Sequence, residues 1–149
     1  MKPDGLETVK IRRARPSDAA RLAELSRQLG YPASREEIVQ RMKRMRPAGR
    51  HAIFVAESES GVTGWLHVSV TPLLEVPLRA EVNGLVVDKK QRSAGTGANL
   101  LEAAERWAAE KGCKSMSVRS NVIRERAHAF YLRNGYEHYK TQKAFRKVF

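Results

Sequence analysis

Leu85-Val86-Val87-Asp88-Lys89-Lys90-Gln91-Arg92-Ser93-Ala94-Gly95-Thr96-Gly97-Ala98-Asn99-Leu100-Leu101 runs from an apolar triplet, through a turn with two glycines, into a periodic segment. Leu100, Leu101, Ala104, Trp107 and Ala108 recur at helical spacing beyond the turn. The stretch therefore reads strand, turn, helix, with Arg92 at the entrance of the turn. Glycine lets the backbone approach a ligand without a Cβ in the way. The unpaired N–H groups at the start of the following helix, and the helix dipole, favour an anion at that place. A phosphate-bearing cofactor is the expected ligand.

Spacing discriminates between the common phosphate loops. A Walker loop requires Gly-Lys-Ser/Thr after four intervening residues, and Ala98 stands where the lysine should follow Gly97. A dinucleotide fingerprint requires a third glycine where this chain has Leu100, and an acidic residue about 20 positions on, which is missing. The spacing that survives is Arg-x-x-Gly-x-Gly/Ala. It resembles the acyl-CoA pyrophosphate loop of the GNAT superfamily of N-acetyltransferases. The resemblance implies that Arg92, Ser93, Ala94, Gly95, Thr96, Gly97 and Ala98 bind acetyl-CoA. One departure is Ser93, where the family often has glycine. A serine keeps its N–H, so the cofactor class is unaffected unless the backbone needs a positive φ.

The chain has 149 residues, a formal charge of +12 and one cysteine, Cys113. That length suits a single domain, 1–149. No run of about 18 apolar residues occurs, and Met1-Lys2-Pro3-Asp4-Gly5 has no apolar signal core, so a cytoplasmic protein is expected. A lone cysteine makes no internal disulfide, which fits a reducing compartment. The positive field favours anionic partners such as coenzyme A. Nucleic acid is the disfavoured alternative, because no aromatic-rich RNA motif or helix-turn-helix spacing accompanies the charge. The four histidines are scattered and no zinc set exists, so no metal is expected.

Working outward, Val9-Lys10-Ile11 alternates as a short strand. Pro16-Ser17-Asp18 starts a helix carrying Leu22, Leu25 and Leu29, closed by Gly30. Ser34 and Glu37 form a capping box ahead of Ile38, Met42 and Met45. Ala52–Ala56, Trp65–Val70 and Leu78–Val87 read as strands, Gly97–Lys111 as a helix, Ser115–Val118 as a strand and Arg124–Asn134 as a helix. Tyr136–Tyr139 and Ala144–Phe149 read as two last strands. The order β-α-α-β-β-β-α-β-α-β-β gives an α/β (α+β) fold with a mixed, mostly antiparallel sheet flanked by helices. The crossover joining the strand at Val87 to that at Ser115 makes these two parallel.

Gly84 interrupts a good strand, the sign of a bulge or a close backbone approach. A bulge there opens a slot and frees N–H groups of Leu85, Val86 and Val87 for an amide-like pantetheine arm. Glu81, three residues earlier, is placed to take a proton from an attacking ammonium. Ala80-Glu81-Val82 resembles the strand that carries the general base in several GNAT enzymes, with Glu75 and His67 as the other candidates. Ala127-His128-Ala129-Phe130-Tyr131-Leu132-Arg133-Asn134-Gly135-Tyr136 is similar to the family's Ala-x-x-Phe-Tyr-x-x-x-Gly-Tyr/Phe pattern. That resemblance implies Tyr131 beside the cofactor sulfur, as the acid for the leaving thiolate. Asn121 either binds the cofactor arm or turns the chain. Arg124, at a helix start where positive charge opposes the dipole, points to a CoA phosphate or a surface ion pair.

The resemblance thus implies direct acetyl transfer from acetyl-CoA to a primary amine of a small molecule or peptide, with Glu81 as base and Tyr131 as acid. The charge disfavours polycationic acceptors, whose sites need clustered carboxylates, and leans toward amines that also carry a carboxylate or phosphate. Two alternatives stand beside it: a non-catalytic acyl-CoA-binding regulatory module and a basic RNA-associated domain. The acceptor, the range of acyl groups and assembly as a homodimer are left open.

Overall fold

The structure is a computed structural model describing residues 8–91, 95–120 and 124–149. It divides into two compact units, Met1–Arg119 and Ser120–Phe149.

The first unit holds five strands in the order of the chain: β1 (Lys10–Arg13), β2 (His51–Ser58), β3 (Gly61–Val70), β4 (Ala80–Val87) and β5 (Met116–Val118). The first three pairings are antiparallel. The pairing of β4 with β5 is parallel, as the crossover requires. Helices α1 (Ala19–Leu29) and α2 (Arg35–Met45) precede β2, and α3 (Thr96–Glu110) makes the crossover. These bounds lie within about two residues of the sequence reading, the usual uncertainty of element ends, except that β3 starts at Gly61 and not at Trp65, because Gly61, Val62 and Gly64 already pair with β2.

Alternation along β3 assigns the two faces. Trp65 joins Leu22, Leu25, Val55 and Val86 in an apolar cluster flanked by Leu29, Ile38 and Met42, so this face takes α1 and α2. The neighbouring positions Gly64 and Leu66 face the other way, and there Leu100 of α3 packs. β2, covered on both sides, is the apolar AIFVA run that marks such a strand. α2 is held at its start by the capping box: Ser34 Oγ accepts the Glu37 N–H at 3.1 Å and Glu37 Oε1 accepts the Ser34 N–H at 3.0 Å.

The second unit contains α4 (Glu125–Arg133). Gly135, at φ 88°, reverses the chain so that its N–H reaches Leu132 O and the Tyr136 N–H reaches Tyr131 O. This is a Schellman closure, and it explains the Gly-Tyr pair that ends the motif. The two strands expected at Tyr136–Tyr139 and Ala144–Phe149 are not formed: residues 136–149 have no regular structure. Tyr139, Phe145, Val148 and Phe149 are exposed, so no burial offsets the entropy of ordering a strand there.

One polar cluster ties β1 to β2 and to the turn before α1. Arg12 donates to both carboxylate oxygens of Asp18 at 2.9 Å and to Glu57 at 3.1 Å, with only 10% of its side chain exposed. The Arg15 N–H also reaches Asp18 at 2.7 Å. The Arg12 guanidinium holds the Asp18 carboxyl below its ordinary value of 3.8. A depressed acid contributes stability above its unfolded value and loses it as pH falls through the folded one. Asp18→Ala is expected to cost about 2 kcal/mol, or about 6 °C in melting temperature, at neutral pH. Thermal melts should show the gap to the parent protein closing as the solution is acidified through the carboxylate range.

Candidate active site

The strand that carries Glu81 changes its partners halfway along. On the β5 side, β4 is paired only at Ala80, Glu81 and Val82. On the β3 side the register breaks: Val68 faces Val82 and His67 faces Gly84, leaving Asn83 as an extra residue. That is the bulge expected at Gly84. Its glycine has a steric cause, since a Cβ at position 84 would lie 2.7 Å from Trp65 Cη2. Beyond Val82, Leu85, Val86 and Val87 pair with β3 alone among the described residues. Strand N–H and C=O groups point alternately to the two edges, so this stretch presents open donors and acceptors opposite β3.

The strand then delivers the chain to the glycine turn through a clamp that sequence reading missed. Arg21 of α1 donates to Val62 O at 2.8 Å and to Asp88 at 2.7 Å. Gln28 Oε1 accepts the Lys89 N–H at 3.0 Å, and Asp88 accepts the Lys90 N–H at 3.2 Å. The Asp-Lys-Lys turn was a local signal for part of this; the arginine reaching across from residue 21 was not. Arg92, Ser93, Ala94 and Asn121 lie outside the described residues. Gly95 caps α3 in the left-handed region at φ 80°, Thr96 is buried, and Gly97 and Ala98 are half-buried in the first turn.

Glu81 is opposite Ser69 in the register. Its carboxylate meets Arg119 Nε at 3.1 Å, an ion pair in which Glu81 is 28% exposed and Arg119 77%. Beside it, Asn83 Nδ2 donates to Ser69 Oγ at 2.7 Å. His67 Nε2 and His51 Nδ1 share a hydrogen bond of 2.9 Å, with the rings stacked at 5.2 Å. Burial, with a smaller contribution from the charge of His51, pushes His67 down to about 4. His67 is therefore a neutral imidazole at neutral pH, and its Nε2 is already engaged. Glu75 sits exposed on the loop between β3 and β4. Of the three candidate bases, His67 faces Gly84 at the bulge but is buried, Glu75 is on the loop, and Glu81, close to the bulge, keeps its carboxylate at a partly open surface.

In the second unit, Tyr131 packs edge-on against Phe130 at 5.2 Å and Tyr136 at 5.7 Å. Burial pushes its phenol up to about 12, opposed by the charge of Arg124. The phenol thus stays a proton donor across neutral pH. Among the described residues, no three His, Cys, Asp or Glu side chains could hold a metal ion, and no helix is long and apolar enough to cross a membrane.

Comparison with known proteins gives the class, the acetyl-CoA-dependent N-acetyltransferases. A family model described as "Acetyltransferase (GNAT) domain" matches residues 49–138, and the chain belongs to that family. It is 38% identical over 66 residues to an aminoalkylphosphonate N-acetyltransferase of Salmonella typhimurium, a match spanning 43% of each chain. It is 28% identical over 134 residues to an uncharacterized N-acetyltransferase, YhfO, of Bacillus subtilis, covering 87% of this chain and 90% of that protein. Among solved structures, the aminoglycoside N-acetyltransferase AAC(6')-Iy in complex with CoA superimposes with a TM-score of 0.86 at 19% identity, over 99% of both chains. Glucosamine-6-phosphate N-acetyltransferase from Arabidopsis thaliana gives 0.82 at 23% identity, over 94% of this chain and 99% of that one.

Two substitutions probe the site. Gly95→Asp puts a Cβ at a positive φ and a negative charge at the start of α3, and should abolish acetyl-CoA binding by calorimetry. Asp88→Ala releases the clamp and should weaken acetyl-CoA binding about tenfold while leaving the melting temperature within a few degrees.

Proposed function

We propose that the chain, acting as one N-acetyltransferase domain, transfers the acetyl group of acetyl-CoA directly to a primary amine, with Glu81 as general base and Tyr131 as general acid. The observation that carries this reading is that β4 beyond Val82 pairs with β3 alone among the described residues, in the same unit as the glycine-capped start of α3. Residues 92–98 would hold the pyrophosphate, with Arg124 as a further phosphate contact and Asn121 on the arm. Leu85, Val86 and Val87 would pair with the amides of the arm. The bound thioester supplies an activated acetyl group.

Each remaining step belongs to a residue of the chain. A main-chain N–H at the bulge polarises the carbonyl, the kind of preorganised donor worth a few kcal/mol in acyl transfer. Glu81 accepts the proton that the ammonium must lose before nitrogen can attack. Tyr131 donates a proton to the sulfur. Acceptors of the relatives are amines of small molecules, by their names an aminoalkylphosphonate, aminoglycosides and glucosamine 6-phosphate. These support an amine acceptor of that size here.

One observation favours the rival reading of a binding module without turnover: the Glu81 carboxylate is already paired with Arg119. Calorimetry with acetyl-CoA, followed by a screen of amines for free-thiol release, separates the two. Binding with turnover supports the enzyme; binding with no turnover on any amine supports the module. Tyr131→Phe should lower kcat about 100-fold and leave acetyl-CoA affinity within about twofold. Full activity in that variant would remove Tyr131 from the acid role.

A further inference from the structure

We infer that the acceptor is a zwitterion, a small primary amine bearing a phosphonate, phosphate or carboxylate on a short linker, and that Arg119 holds its anionic group. The inference rests on the acetyl-transfer reading and narrows the acceptor within it.

The placement of Arg119 follows from the register. Val118, the last residue of β5, pairs with Val82, the last residue of β4 before the bulge. Arg119 therefore stands where the two strands part. Its side chain is 77% exposed, and its contact to Glu81 runs through Nε. A guanidinium has five N–H donors in a planar fork, so the outer edge is open to an oxyanion in bidentate fashion.

The charge balance then selects the ligand. A plain ammonium entering this site must take Glu81 away from Arg119 and leave the guanidinium without its partner. A zwitterion exchanges one ion pair for two: its ammonium takes the carboxylate while its anion takes the guanidinium. A polycation fares worse, because Glu81 is the single carboxylate among the side chains placed here. Ser69, Asn83 and the His51–His67 pair are its neighbours on this face, and His67 is neutral. Elsewhere in the unit several carboxylates are tied to arginines, Asp18 and Glu57 to Arg12, Glu24 and Asp88 to Arg21. Lys43, Arg44, Arg46 and Arg50 around the end of α2 have no ion pair among the described residues, which adds a field attractive to anions.

The reaction stays balanced with the anion held. The ammonium gives one proton to Glu81, its nitrogen lone pair forms the new N–C bond, and the C–S bond breaks. The thiolate takes a proton from Tyr131, the second proton that the nitrogen sheds on becoming an amide restores the phenol, and Glu81 releases its proton to water. The amide product has lost its cation, so Glu81 and Arg119 can pair again as it leaves.

The full chain is tested with 2-aminoethylphosphonate and β-alanine against propylamine and 1,3-diaminopropane, following free thiol. The zwitterions are expected to exceed the other two by about 30-fold or more in kcat/KM. Arg119→Gln should erase that preference through KM of the zwitterion, and Arg119→Lys should restore part of it, with acetyl-CoA titration confirming that each variant is folded. Preference for propylamine or the diamine in the parent protein overturns the inference and leaves acetyl transfer standing, as does an unchanged preference in Arg119→Gln. If no amine is turned over, 2-aminoethylphosphonate is titrated into the CoA complex. Heat that depends on Arg119 then supports the anion site and overturns the transfer reading, and no heat overturns the inference as well.

Discussion

Among the described residues β4 has two neighbours as far as Val82 and one beyond it, and the proposed acetyl transfer depends on that change. The indole of Trp65 lies over position 84 so closely that a Cβ there would lie 2.7 Å from Cη2, and any larger residue would have to push the ring aside. The extra residue Asn83 takes up the slack in register against β3. Strand β5 ends at Val118 and does not follow β4 past this point. An unpaired sheet edge would be a liability; in the proposed reading the amides of the cofactor arm pair with this edge and its anion takes the start of α3.

Electrostatics reinforce the arrangement. The chain carries 28 Lys and Arg against 16 Asp and Glu, so carboxylates are scarce. Three of them are struts between elements: through Arg12, Glu57 joins β1 to β2 and Asp18 joins β1 to the turn before α1, and Asp88 joins the end of β4 to α1 through Arg21. Glu81 differs in that its arginine is largely exposed. An ion pair at a partly open surface contributes little stability. Exchanging it for a ligand therefore costs little, as the inferred acceptor site requires.

What was legible in the sequence was local. The capping box at Ser34 and the glycine closures after α1 and α4 each spell out their geometry within a few residues. Gly84 signalled the bulge because an isolated strand glycine has few other uses, although the Trp65 ring that demands it could not be foreseen. Features set by pairing over long distances were hidden. Arg119 meets Glu81 only because β5 runs parallel to β4 in one register, and His51 meets His67 only through the β2–β3 ladder. The last two strands failed for the converse reason: a strand needs an edge as well as a pattern, and Ala144–Phe149 leaves Phe145, Val148 and Phe149 in solvent.

The central claim is that the open edge of β4 and the start of α3 together receive the nucleotide thioester. Amide hydrogen exchange read residue by residue, with and without coenzyme A, addresses it directly. The account requires slowed exchange at alternate amides within residues 84–87 and at 95–98 on addition of the ligand, with β1 and β2 unchanged. Equal exchange at those positions in the two states, with calorimetry showing the ligand bound, would place coenzyme A elsewhere and contradict it.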